Sequence, residues 1–360
     1  MAAIDFSRLA APDGNGQVLV VPTPKECVEA VRNNSERLNS HPHVIAGRSL
    51  GEWRRRLRRS IWGRNDFLVI GTGHQPGFIH PGVWAKSVVA SRLAKALGAT
   101  AAHLVVDSDS PKETGLKIPI DGEESFRLES VPVLSASAHA YEQISPLDDR
   151  RMDELQRALC GVLGDRFDRT QLELYVGAMR ECWGPRNVVD QLVAGVRAID
   201  HLYDVELTDL RMSRSWWTPL LSHVLIHAGE FFQVYNRALE NYRRMNRVRG
   251  RGRPFPDLAR RDDMLELPAW VFQGESPRRR LYARVTSNGT SLWADHEFIR
   301  EVSERTLLEW ADDESSPASL YGWSFRPRAV LLTMWARLML CDFFIHGIGG
   351  NVTSWGKLHL

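Results

Sequence analysis

The chain has 360 residues, is 43% hydrophobic and 25% charged, and is long enough to bury a sizeable core without disulfide or metal staples. Its 27 glycines and 18 prolines exclude collagen-like, low-complexity and mainly disordered chains. A formal net charge of +2 makes no global case for a nucleic-acid or membrane partner.

The basic residues are lopsided, with 40 arginines against 6 lysines, a bias that weakens any argument from an arginine run alone. Cys27, Cys160, Cys182 and Cys341 are scattered, with no CxxC and no Cys/His tetrad, which argues against a disulfide framework and structural zinc. The amino terminus shows no basic start followed by an apolar run. The longest apolar stretch, residues 329–348, is interrupted by Arg337, Asp342 and His346 and is too polar for a membrane span. A reduced, cytoplasmic protein that does not meet the membrane is expected.

In chain order, residues 17–21 read as a short strand, and residues 24–34 and 49–62 as helices. The run Arg54–Arg59 is expected mostly on the exposed side of the second helix. Phe67 to Gly71 is an uninterrupted apolar run of strand length that opens into a Gly/Pro-rich loop, Thr72 to Gly82. Residues 84–97 have a helical period with Gly98 as C-cap. Residues 102–106 form a second strand ending in Asp107-Ser108-Asp109. Strand, loop, helix and strand make a βαβ unit, which implies a parallel sheet whose ligands bind beyond the carboxyl ends of the strands.

Residues 116–120 and 126–134 read as a small β insertion. Helices follow at 152–163, 171–182 and 188–200, then one from 216 onward with a break expected at Gly229. Residues 243–261 read as a basic loop. Strands are expected at 267–272, 281–286 and 290–294, the last two joined through Ser287-Asn288-Gly289, with a helix at 302–310. A helix over 327–340 leads into the buried strand Phe343-Phe344-Ile345 and the turn His346-Gly347-Ile348-Gly349-Gly350. Residues 351–360 are too short and polar for a helix covering the sheet, so the tail packs irregularly or the sequence is shortened. The fold class expected is α/β, with a Rossmann-like parallel sheet core carrying helical and small β insertions. Its parts are residues 1–135 (first βαβ half), 136–262 (helical insertion) and 263–360 (small β segment and return to the core sheet).

The loop Thr72-Gly73-His74-Gln75-Pro76-Gly77-Phe78-Ile79-His80-Pro81-Gly82 carries the strongest chemical signal. Its glycines allow close backbone approach to a ligand, and a helix N-terminus favours an anion. His74 and His80 are suited to stabilising charge on a transferring phosphoryl group. The spacing is neither the Gly-Lys-Ser/Thr phosphate loop nor GxGxxG. Its place after the first buried strand favours a ligand loop over a plain turn. Asp107 and Asp109 are equally readable as a polar strand end or as groups positioning Mg²⁺ or a nucleophilic amine. His346, Gly347, Gly349 and Gly350 form a second Gly-rich turn that can converge on the same crevice. The arginine-rich 243–261, 54–59 and 278–280 stretches read as solvated, which ranks nucleic acid last among partners. Trp216 and Trp217 read as core.

The run from Val69 to Trp84, with Thr-Gly-X-Gln-Pro-Gly at Thr72–Gly77, resembles the signature loop of the bacillithiol-biosynthesis cysteine-adding enzymes. Asp107–Asp109, the run Phe232 to Leu239, and Arg326-Pro327 leading to Ile348-Gly349-Gly350 agree in order, so the resemblance spans most of residues 66–350. It implies a Rossmann-like core, a crevice for ATP or ADP with Mg²⁺, and ligation of an amino acid to an acidic small molecule. That fold is similar to class I aminoacyl-tRNA synthetases, which places Phe78-Ile79-His80-Pro81-Gly82 where their adenylate-forming motif lies. The family has Gln at the position of His74, small residues near His80 and Pro81, a fuller acidic cluster, and a dimerising coiled coil that this sequence lacks. The expected function is a nucleotide-dependent ligase-like or nucleotidyl-transfer enzyme on a small carboxylate- or amine-bearing substrate. Thr72, Gly73, Gln75, Gly77 and Gly82 would hold the nucleotide beside the second turn. The alternative is a non-catalytic Rossmann-like protein that binds a nucleotide or anionic metabolite.

Overall fold

An apolar run such as Phe67 to Gly71 can be buried on both faces only in the middle of a covered sheet, and that is where it lies. The structure is a computed structural model and describes residues 10, 12–14, 17–77, 80–111, 114–120, 127–134, 139–164, 170–245, 247–248, 255–313 and 318–347. Phe78, Ile79, Lys112, Ile348, Gly349, Gly350 and the tail 351–360 lie outside the described residues.

The chain opens with helix α1 (Pro24–Ser40), then a two-strand hairpin of β1 (Val44–Ile45) and β2 (Arg48–Ser49), then α2 (Leu50–Trp62). Both helices start with capping boxes, Thr23 with Glu26 and Ser49 with Glu52. Residues 17–21, expected as a strand, have no ladder partner and are irregular. Strand β3 (Val69–His74), helix α3 (Pro81–Leu97) and β4 (Thr100–Val105) form the βαβ unit, with β3 and β4 parallel and Gly98 the left-handed cap of α3. Strands β5 (Gly115–Ile120) and β6 (Arg127–Pro132) pair antiparallel. Helices α4 (Asp149–Leu163), α5 (Thr170–Arg180) and α6 (Val188–Leu202) cover them around a core of Ile118, Val131, Leu155, Val176, Leu192 and neighbours.

The chain then returns to the parallel sheet as β7 (Thr208–Arg211), which the hydrophobic pattern did not signal. Helices α7 (Thr218–Ile226) and α8 (Ala228–Met245) break at His227, two residues before the expected Gly229. Strands β8 (Arg260–Arg261), β9 (Met264–Phe272), β10 (Arg279–Thr286), β11 (Gly289–Ala294) and β12 (Glu297–Val302) follow. Helix α9 (Glu304–Asp312), β13 (Ser319–Leu320) and β14 (Trp323–Pro327) come next, and these strands form one seven-stranded antiparallel sheet. Strand β12 was not expected, and α9 starts two residues later than residue 302. Helix α10 (Ala329–Trp335) runs into a π turn (Ala336–Leu340) and β15 (Phe343–Phe344).

The parallel sheet has the order β15-β3-β4-β7. Numbered along the chain these strands are fourth, first, second and third, so the direction of winding reverses between β3 and β15. Alternation along β3 divides its two faces. Ile70 packs with Val31 of α1 and Ala90 and Ala94 of α3. Val69 faces the main core with Trp53, Trp217, Leu267 and Trp335, which joins the two sheets. The molecule is a mixed α/β fold with a four-stranded parallel sheet flanked by helices. Trp217 is fully buried, as expected for core.

The arginine run of α2 is a correction. Arg54 and Arg58, one turn apart, are buried, and both grip Asp342, whose own carboxylate is buried. Arg58 Nη2 donates to Asp342 Oδ2 at 2.9 Å, and the Val69 amide donates to the same oxygen at 2.7 Å. The two guanidiniums also donate to the carbonyls of Leu338, Leu340 and Cys341, the orphan acceptors at the end of the π turn. Burial is the leading cause lowering Arg54 to about 10. The run is partly solvated, but these two residues bind β15 to β3.

Candidate functional site

Beyond the carboxyl ends of β3 and β15, where the winding reverses, the backbone is drawn tight. The Ile345 amide donates to Gly71 O at 2.7 Å, and Thr72 Oγ1 donates to Ile345 O at 3.2 Å. Thr72 is therefore buried in the strand junction. A Cβ at Gly71 would lie 2.4 Å from Cys341 Sγ, and one at Gly73 would lie 2.9 Å from Leu104 O, so neither position of β3 takes a side chain without a shift of its neighbours.

Lys86, on the first turns of α3, reaches back under this junction and donates to Gly73 O at 2.8 Å. Among the described residues no carboxylate pairs with it, and burial alone lowers it to about 8. Its stem runs beside Gly347, whose Cβ position is 3.8 Å from Lys86 Cδ. His346 stacks at 4.7 Å on Phe344 and is lowered to about 3 by burial, then by the positive charges of Arg337 and Lys86. Arg337, on the π turn, is itself lowered to about 10 by burial. Lys86 and Arg337 thus both act on one buried imidazole, and both of these charges are positive. Such a positive corner favours an anion. Of the expected residues, His346, Gly347 and Gly73 meet here.

The loop after β3 turns toward β4. His74 Nδ1 lies 3.1 Å from Gln75 O, and Gln75 Nε2 donates to the Asp109 carboxylate. Gly77 takes φ of +139°, with open space where a Cβ would be. His80 is exposed and is the N-cap of α3, accepting the Gly82 amide on Nδ1 at 3.1 Å. The anion place at the helix start is thus taken by an imidazole, and His80 and Gly82 serve the helix.

Asp107 takes the first of its two readings, a polar strand end. It is fully buried and accepts from Arg211 Nε (2.7 Å), Ser213 N (2.9 Å) and Ser213 Oγ (2.7 Å), so it clamps the end of β7 to β4. Asp109 is half-buried, and Arg278 Nη2 donates to it at 3.2 Å and to Ser110 Oγ at 2.6 Å. Arg278, expected in solvent, lies over Trp270 at 5.0 Å and brings the antiparallel sheet to the site. Arg326 makes a bidentate pair with Glu142 at 2.6 and 2.7 Å beside it.

The donors fit a phosphate or carboxylate better than a protein-held metal. Both acids expected to hold Mg²⁺ are bonded to arginines, and among the described residues no three His, Cys or carboxylate donors, as they are placed, surround one point. Sequence reasoning missed Lys86, Arg337, Arg278 and Arg211. The one available signal was composition. Among 46 basic residues only six are lysines, and a lysine is the compact cation whose charge burial can tune.

No family model matches the chain, and no curated protein matches it. Among the described residues no helix is long and apolar enough to cross a membrane.

Proposed function

We propose that the recess between β3 and β15 binds the phosphates of ATP or ADP, and that the chain is a ligase-like or nucleotidyl-transfer enzyme acting on a small acid or amino acid. The observation that carries this reading is the coincidence of the winding reversal with a cation that has no acid partner among the described residues. The strand order is that of the first four strands of a doubly wound, Rossmann-like sheet, whose ligands sit outside the carboxyl ends at the reversal. Lys86 stands at that point. The resemblance to the cysteine-adding enzymes points the same way.

In this reading Lys86 meets phosphate oxygen as a point charge, its ammonium restored by the ligand's negative charge. Arg337 adds positive potential, and Gly347 leaves room beside the lysine stem. Gln75 and Asp109, tied to Arg278, form the polar wall where a second substrate's amine would approach. Mg²⁺, where used, would enter on the nucleotide's phosphates. The engagement of Asp107 with Arg211 and of His80 with Gly82 favours a second reading, binding of a nucleotide or anionic metabolite without chemistry.

Calorimetric titration with ATP and ADP, with and without Mg²⁺, tests the first step on the wild type and on Lys86→Met. Saturable binding weakened at least tenfold in the variant is expected. Absent binding, or equal affinity in both, overturns the proposal. Release of ADP or AMP from ATP with pooled amino and hydroxy acids then separates the enzyme from the binding protein.

A further inference from the structure

We propose that His43, His223 and His227 form a binding site for a borderline divalent cation of the zinc or nickel class, away from the crevice, that staples the β1–β2 hairpin to the end of α7. His223 and His227 are four residues apart, and the His227 amide donates to His223 O at 3.0 Å, so the helical turn continues and both rings share one face. Their ring centroids are 4.5 Å apart. His43 comes from the segment before β1, with its ring 6.0 Å from His223. Its backbone is fixed by the Leu50 amide, which donates to His43 O at 2.9 Å.

With metal–nitrogen bonds of about 2.0–2.1 Å, two imidazoles on one tetrahedral ion have centroids ~5–6 Å apart, and the observed separations bracket that range. Among the described residues no three donors already surround one point. Half-buried His223 is the fixed member, and exposed His43 and His227 close on it by rotating their side chains. Metal on Nε2 of His223 moves that ring's proton to Nδ1 and gives up the long 3.4 Å bond from the Ala46 amide. Exposed His41, 6.2 Å from His43, or a water completes four-coordination.

The donor chemistry selects the ion. Among the described residues no carboxylate acts on His223, so the donors on offer are imidazole nitrogens. Imidazoles without carboxylate suit Zn²⁺ or Ni²⁺ and not Mg²⁺ or Ca²⁺.

The test uses the full chain stripped with EDTA, titrated with ZnCl₂ and, as control, MgCl₂, by calorimetry and thermal melting. One Zn²⁺ per chain, a rise in Tm with zinc alone, and at least tenfold weaker binding in both His43→Ala and His227→Ala are expected. Absent saturable zinc binding, or unchanged affinity in His43→Ala, overturns the proposal. His43 is an exposed segment residue, so that variant decides even if His227→Ala melts early.

Discussion

At the amino ends of β3 and β15, Asp342 sits between Arg54 and Arg58 with all three side chains enclosed and every oxygen engaged. At the carboxyl ends of the same two strands, Lys86 donates to the Gly73 carbonyl, and among the described residues no acid pairs with it. The same parallel pair thus carries cations at both ends, satisfied at one and unsatisfied at the other. A buried cation whose partners are all internal holds a fold. One left without a counter-ion is costly unless something from outside supplies it.

The largest break in this comparison is Asp342→Ala. It leaves two guanidiniums buried without their carboxylate and costs about 3–5 kcal/mol, seen as a lower urea midpoint. A loss below about 1 kcal/mol would mean that the cluster is solvated. Lys86→Met reverses the sign. Folded Lys86 is depressed to about 8 from an ordinary 10.5, so its charge opposes folding below that window, and its removal gains about 1–2 kcal/mol at pH 7. If the proposed site holds nucleotide, the same variant weakens that binding at least tenfold in calorimetry, a trade of stability for function. Anion affinity in the wild type is flat below pH ~8 and falls by up to about tenfold per unit above it, as the free site loses its proton.

His346 sharpens the contrast with a pH slope. Its folded value is about 3 against 6.5 unfolded, so the unfolded chain binds more protons between these values and stability is lost as pH falls through that window. About 2 kcal/mol disappears between pH 7 and pH 5, and His346→Phe removes that part of the slope in urea melts repeated at each pH. The smallest effect belongs to His80. His80→Ala costs about 1 kcal/mol through the lost cap, whereas His80→Asn stays within about 0.5 kcal/mol of the wild type. Turnover abolished in the asparagine variant would restore His80 to the chemistry.

The β3–α3–β4 unit was legible because an apolar run, a Gly-rich loop and a helical period are local signals. Strand β7 was not, because Thr208-Asp209-Leu210-Arg211 has one apolar residue, and its polar side chains are engaged by His103, Arg197 and Asp107. The burial of Arg54 rests on a partner 288 residues away, which no local pattern reports. The same holds for Arg278, which is drawn to Asp109 from the far sheet. In the site, the glycines and His346 were legible from turn chemistry. Lys86 was hidden on the inner side of a helix whose apolar period drew the eye elsewhere.

Strand β15 enters the sheet beside β3 with Phe343 opposite Ile70, so the two halves of the recess are 273 residues apart in the chain. Each doubling of such a loop adds only about 0.6 kcal/mol, so distance does little to equilibrium stability, but it delays assembly. During synthesis β3, β4 and β7 emerge long before their fourth neighbour. Until residues 343–347 leave the ribosome, one edge of β3 stays open and the recess has a single wall. The nascent chain therefore carries an open, pairing-prone edge on β3 until β15 is made and takes its place there.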